Sequence, residues 1–199
     1  MDTARLLPKK RALLLLHPGF EEIEAVTPAD LLRRAGVEVT LASVLDAPGP
    51  DALLVEGGRG LVLRADARLS ELASPAEAFD MLILPGGPGV GALRKRPEVL
   101  ELVRAFHARG AWIAAICAAP LVLLEAGVAA PLRLTSFPGA AEELRAGVRA
   151  YAEERMVLDR NVVTSRGAGS SEEFALALVA LLAGAVEAED VRRRIVARA

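Results

Sequence analysis

The stretch Trp112-Ile-Ala-Ala-Ile-Cys-Ala-Ala-Pro120, continued by Leu121-Val-Leu-Leu124, constrains the fold more than any other part of the chain. Apolar strand formers run straight into the only cysteine, and two alanines and a proline then open what reads as a helix. A buried strand that breaks sharply into a helix leaves its turn residue strained and exposed at the C-terminal edge of a sheet. There the helix dipole and free amides lower a thiol's pKa and favour the thiolate. The small residues after Cys117 let strand and helix approach closely, as a nucleophile elbow requires. A lone cysteine is also commonly a small buried hydrophobe, so the rest of the chain has to decide between the two readings.

The same pattern recurs along the sequence. Arg11–Leu16 and residues 80–84 are short apolar runs of the kind found in strands covered on both faces. Residues 21–35 read as a helix with acids in its first turn and Gly36 as its stop. Pro28 falls inside it and is expected to kink or restart it. Residues 37–43 form a second strand, and 53–55 and 61–63 are minor strands within a loop-rich region. A helix over 97–109 carries Val99, Leu102, Val103 and Phe106 at helical spacing and ends at Gly110. Beyond the elbow come a strand at 132–135, a short helix over 139–147, and the segments 151–155 and 161–165, which flank a turn and read as a hairpin or as two edge strands. The helix Ser171–Ala183, with Ser170 or Ser171 as N-cap, and a final charged helix complete the chain. Such alternation predicts an α/β sandwich with a mostly parallel central sheet, in one domain over 1–199 behind a polar leader at 1–10.

The bulk numbers exclude several classes. Of 199 residues, 53% are hydrophobic and only 4% aromatic, so the core is packed from Leu, Val and Ala and the chain is not disordered. A net charge of −2 with both signs interspersed gives no reason to expect nucleic-acid or membrane partners. One cysteine excludes an intrachain disulfide framework and suits a reducing compartment. No apolar run approaches the roughly 20 residues of a membrane span, and the expectation is a cytoplasmic protein.

In an open α/β sheet, sites form beyond the carboxyl ends of the strands. Three such ends carry suggestive chemistry: residues 18–24, the Pro85-Gly-Gly-Pro-Gly89 run, and Cys117. The amides of Gly86 and Gly87, with that of Ala118, could hold an oxyanion; alone, the glycine run is simply a turn. Glu21 and Glu22 are expected to face solvent as dipole partners. Glu24, on the turn facing the sheet, can reach the thiol, and a buried carboxyl there could donate a hydrogen bond to sulfur or shuttle a proton. His17 is expected to be a polar strand-end residue and His107 a cation in a last helical turn. No histidine adjoins Cys117 or lies beyond 107, so a Cys-His-acid triad in the usual order cannot be drawn. The scattered Cys and His give no metal-ligand spacing, and no phosphate-binding glycine motif follows a strand, so neither metal nor cofactor is expected.

Gly19-Phe-Glu-Glu-Ile-Glu24, Pro28-Ala-Asp-Leu-Leu-Arg-Arg-Ala-Gly36, Leu84-Pro-Gly-Gly87, Ala114-Ala-Ile-Cys-Ala-Ala-Pro120 and Thr164-Ser-Arg-Gly-Ala-Gly169 together resemble the blocks of the ThiJ/PfpI superfamily. The resemblance is in particular to the branch of the parkinsonism-associated protein deglycase and the bacterial YajL-like proteins, and it spans about residues 11–185. It implies a flavodoxin-like three-layer sandwich with Cys117 as nucleophile and Glu24 as the carboxylic acid bonded to it. It further implies an anion site lined by Gly86, Gly87 and the Ala118 amide, with Arg59 and Phe137 near the substrate. A homodimer across the first helix is implied too, with Glu21 and Arg34 near its interface. Ala118 stands where peptidase-like members place a histidine, which argues against proteolysis. Phe137 stands where the deglycase carries a histidine, as in the YajL-like branch, leaving Glu24 as the proton carrier.

By this resemblance the expected function is cysteine-dependent action on reactive carbonyls, small aldehydes or glycated protein side chains, of the glyoxalase or deglycase type. The alternative is a redox-sensing chaperone whose cysteine is oxidised to sulfinate, since one exposed low-pKa thiol serves both. Hydrolysis of an amide or peptide is the least supported.

Overall fold

The computed structural model describes residues 9–46 and 49–197, so most of the polar leader at 1–10 lies outside the described residues. The strands are β1 (Arg11–Leu16), β2 (Glu38–Ser43), β3 (Leu54–Glu56), β4 (Val62–Arg64), β5 (Ala67–Arg68), β6 (Met81–Leu84), β7 (Trp112–Ile116), β8 (Arg133–Leu134), β9 (Ala150–Tyr151), β10 (Met156–Asp159) and β11 (Val162–Ser165). The helices are α1 (Glu22–Arg34), α2 (Pro75–Ala78), α3 (Val90–Leu93), α4 (Pro97–Ala108), α5 (Pro120–Glu125), α6 (Ala141–Arg145), α7 (Ser171–Ala183) and α8 (Ala185–Arg194).

Seven strands form the central sheet in the order β10-β11-β7-β6-β1-β2-β5, parallel throughout except for the β10–β11 hairpin at one edge. Alternation within the apolar runs builds the layers, because successive side chains of a strand point to opposite faces. Leu13, Leu15, Leu82, Leu84, Ile113 and Ala115 pack against Val99, Val103 and Phe106 of α4 and Val122 and Leu123 of α5. Their neighbours Ala12, Leu14, Leu16, Ile83, Ala114 and Ile116 pack on the other face against α1, α7 and α8. The result is the flavodoxin-like sandwich expected from the sequence.

The topology also selects the site. From β1 the chain steps outward to β2 and β5; from β6 it steps the other way to β7 and β11. The β1/β6 boundary is therefore the switch point at which a crevice opens beyond the carboxyl ends of the strands.

Several local expectations are corrected. Helix α1 is not restarted at Pro28 but is assigned continuously from Glu22 to Arg34. Residues 151–155 are not the hairpin strand: Tyr151 pairs in parallel with Leu134, and the antiparallel partner of β11 is Met156–Asp159. Arg160, at φ 53°, forms that hairpin's turn with Asn161. Ser170 occupies the N-cap position of α7 without a side-chain cap, because its hydroxyl bonds Ser165 Oγ at 2.7 Å instead.

Candidate active site

Cys117 follows the last residue of β7 at φ 63°, in the left-handed region. Such a conformation costs a non-glycine residue about 1–3 kcal/mol and persists only when its surroundings fix it. Here both flanking backbone groups are held: Cys117 N–H donates to Ser165 O at 2.9 Å and its carbonyl accepts from Phe137 N–H at 2.8 Å. The side chain is half-buried at the floor of a cleft of about 390 Å³ lined by Glu21, Glu24, Arg59, Gly87, Pro88, Ala118, Phe137 and Ala168. Phe137 stands at the mouth, half exposed.

Helix α1 brings Glu24 to the sulfur from the β1 side. The carboxyl is 1% exposed; Oε2 accepts from Gly86 N–H at 2.9 Å, while Oε1 is buried beside Gly167 with no hydrogen-bond partner. An unpartnered buried oxygen penalises the ionised form. Close approach requires the glycines. A β-carbon at 86 would lie 2.6 Å from Cys117 Cβ, and Gly87, at φ 102°, has no room for one beside Gly19 O.

Burial pushes Glu24 up to about 7, against the opposing pull of the Gly86 amide and the Cys117 side chain. Burial pushes the Cys117 thiol up to about 12, the facing Glu24 charge adding to it while the amides of Gly87 and Ala118 pull it down. The expected lowering of the thiol is thus corrected. α5 is a single short helix, and its terminus does not outweigh desolvation. Two groups this close titrate as one pair. Loss of a first proton at about 7 leaves a single negative charge between Glu24 and Cys117, and only near 12 would both be anions. With the thiol raised above the carboxyl, the proton of the monoanion rests on sulfur and Glu24 carries the charge; moving that one proton to Glu24 gives the thiolate, which the Gly87 and Ala118 amides help to hold.

The remaining sequence candidates separate. The amides of Gly87 and Ala118 pull the thiol's pKa down, whereas the Gly86 amide is engaged by Glu24. Glu21 and Arg59 face each other across the cleft rim at 3.8 Å, with the arginine side chain largely exposed. Arg34 is exposed at the far end of α1, paired with Asp30. Glu22 is not a solvated acid: it is 5% exposed and accepts from the amides of Arg59 at 2.6 Å and Leu61 at 3.4 Å. His17 is also buried, with its ring beneath the Pro85–Gly86 peptide. Neither role is readable from spacing, because three near-adjacent acids and a strand-end histidine look alike in sequence whichever way they point.

A cleft of similar volume at the opposite edge of the sheet carries no nucleophile, and its cations are engaged. Lys10 pairs with Asp80, and Arg109 donates to the carbonyls of Glu77 and Phe79. Among the described residues no group of His, Cys, Asp and Glu could hold a metal, and no helix is long and apolar enough to cross a membrane.

A parallel α/β sandwich carrying a strained cysteine at a strand-to-helix elbow, faced by a buried carboxyl from the first helix, defines a class of cysteine-centred proteins. Residues 10–181 match the model of the DJ-1/PfpI family, and the chain belongs to that family. It is 40% identical over 185 residues to Protein dj-1beta of Drosophila melanogaster, covering 92% of this chain and 95% of the relative. The crystal structure of that fly protein superposes with a TM-score of 0.89 at 38% identity, over 96% of this chain and all of the other. A Caenorhabditis elegans relative, glutathione-independent glyoxalase DJR-1.2, is 35% identical over 177 residues, covering 88% of this chain and 90% of the relative.

Proposed function

We propose that the protein is a cofactor-independent enzyme of reactive carbonyls, converting 2-oxoaldehydes such as methylglyoxal into 2-hydroxy acids. The observation that carries this reading is the placement of a buried carboxyl, held by the Gly86 amide, against the only thiol in an open cleft. The glyoxalase name of the nematode relative supports it.

The chemistry balances without an external oxidant. In the thiolate form, Cys117 adds to the aldehyde carbon while the Glu24 carboxylic acid gives its proton to the carbonyl oxygen, forming a hemithioacetal. The resulting Glu24 carboxylate removes the proton from that carbon and returns it to the adjacent carbonyl carbon, while the hemithioacetal hydroxyl passes its proton to the neighbouring oxygen, leaving a 2-hydroxyacyl thioester at Cys117. Oxyanions formed on the way are met by the Gly87 and Ala118 amides. Water, deprotonated by Glu24, then attacks the thioester, and the thiolate leaves. Carbonyl adducts on protein side chains present the same carbon to the same pair, which extends the reading to deglycation. Ala118 offers no imidazole to protonate an amine leaving group, so amide hydrolysis is disfavoured.

The test is lactate formation from methylglyoxal by wild type, Cys117→Ser and Glu24→Gln. Turnover by the wild type and its loss by about 10³-fold or more in both variants is expected. A wild type that makes no lactate overturns the reading. A second role is supported by the amides of Gly87 and Ala118, which favour negative charge at the sulfur and would also hold the oxygens of a sulfinate. Gain of two oxygens at Cys117 under mild peroxide, without lactate formation, would make redox sensing the function.

The reading includes a homodimer across α1 in the cytoplasm. Ile23 and Val26 of α1 are about half exposed, and Leu61 and Val62 present apolar surface beside them.

A further inference from the structure

His17 is fully buried, lies outside the chemistry derived above, and both of its ring nitrogens face carbonyl oxygens: Nδ1 is 3.2 Å from Pro18 O and Nε2 is 3.3 Å from Pro85 O. A neutral imidazole has one N–H, so only one carbonyl can be served. The contact to Pro18 O is only part-buried, whereas that to Pro85 O is buried, and no other donor among the described residues reaches the Pro85 carbonyl. A buried carbonyl requires a donor, which places the proton on Nε2. The Pro85 carbonyl and the Gly86 N–H are the two ends of one peptide unit. The imidazole donates to one end of that unit, and the other end donates to Glu24 Oε2 at 2.9 Å. Gly89 leaves space for the ring, since a β-carbon there would stand 2.7 Å from Nδ1.

We propose that His17 is a positioning residue for the Cys117–Glu24 pair, acting through the Pro85–Gly86 peptide to strengthen the amide that holds the pair's negative charge. Hydrogen bonds in series polarise one another, so a donor on the carbonyl makes the N–H of the same peptide a stronger donor. The ring contributes no charge for this effect while neutral, and burial keeps it so by lowering its pKa. The charged groups around the pair are Glu21 at the N-cap of α1 and Arg59 on the β3–β4 loop, and His17 itself is met by backbone alone among the described residues. The inference rests on the shared proton of the Cys117–Glu24 pair, not on any particular substrate.

The test therefore reads the thiol directly. Cys117 is the only cysteine, so its alkylation by iodoacetamide, followed by intact mass across pH, reports this site alone. The glutamine amide nitrogen matches the position of Nε2, and that of asparagine matches Nδ1. His17→Gln keeps the donor to Pro85 and should retain the wild-type midpoint. His17→Asn and His17→Leu lose it, and their midpoints should rise by about 0.3–0.7 pH unit. Thermal melting separates this from packing damage, which would lower the Tm of all three without distinguishing Gln from Asn. Equal midpoints for Gln and Asn variants, whether both wild-type or both shifted, overturn the proposal. Because lactate is not measured, failure of the carbonyl reading leaves this result interpretable.

Discussion

Gly86 and Glu24 are joined by a 2.9 Å hydrogen bond in a space that admits nothing larger than glycine: a β-carbon at 86 would lie 2.7 Å from the same carboxylate oxygen. Gly86→Ala must displace either the carboxyl or the sulfur. A displacement near 1 Å between reacting groups costs about 10²-fold in rate, so kcat/KM for methylglyoxal should fall by at least about that factor. Steady-state kinetics on a variant shown to be folded by circular dichroism checks it, and an unchanged kcat/KM would contradict the tight packing of the pair.

Glu24 should cost the fold stability in exchange for its chemistry. Its carboxyl is raised from an ordinary 4.5 to about 7, so between those values the native state holds a proton that the unfolded chain has lost. Stability therefore declines as pH rises through that window, by about 3 kcal/mol in all, and the penalty is complete above it. Glu24→Gln removes the charge. Its denaturant midpoint should gain on the wild type as pH rises from about 4.5 to 8, and a difference independent of pH would count against a buried, shared proton.

Glu22 clamps the loop that carries Arg59 to the cleft rim, accepting from the amides of Arg59 and Leu61. Glu22→Ala leaves two amides without their acceptor, at a cost of about 1–3 kcal/mol. Chemical denaturation should show that loss. The chemistry of Cys117 itself should persist, seen as an alkylation midpoint close to the wild-type one.

The apolar surface of α1 predicts assembly. Val26 is about half exposed and lines a groove with Leu41 and Leu63, so Val26→Arg places a charge on this apolar face and should convert a dimer into a monomer in size-exclusion chromatography with light scattering. A wild type that is already monomeric at micromolar concentration would remove the dimer from the account.

The core strands and the elbow were legible in sequence because they depend on local signals. Leu13 to Leu16, Leu82 to Leu84 and Ile113 to Ile116 are continuous apolar runs, and a run that ends on the only cysteine before Ala-Ala-Pro has few other readings. Glu24 was legible from its place one turn beyond Glu21. Partners set by tertiary contact were not. Tyr151 looks like a hairpin strand until β8 claims it, and Glu22 looks solvated until the β3–β4 loop folds over it. The thiol's electrostatics escape sequence for the same reason: a helix terminus can be read locally, whereas desolvation by the surrounding chain and the facing charge of Glu24 cannot.

The central claim is that Cys117 and Glu24 hold one proton between them, and the pH profile of Cys117 alkylation in the wild type and in Glu24→Gln tests it most directly. The wild-type rate should climb through about pH 7 to a plateau, the point at which the pair loses its first proton. In Glu24→Gln that inflexion should vanish, leaving a rate that rises only at more alkaline pH. Identical profiles for the two proteins would contradict the account.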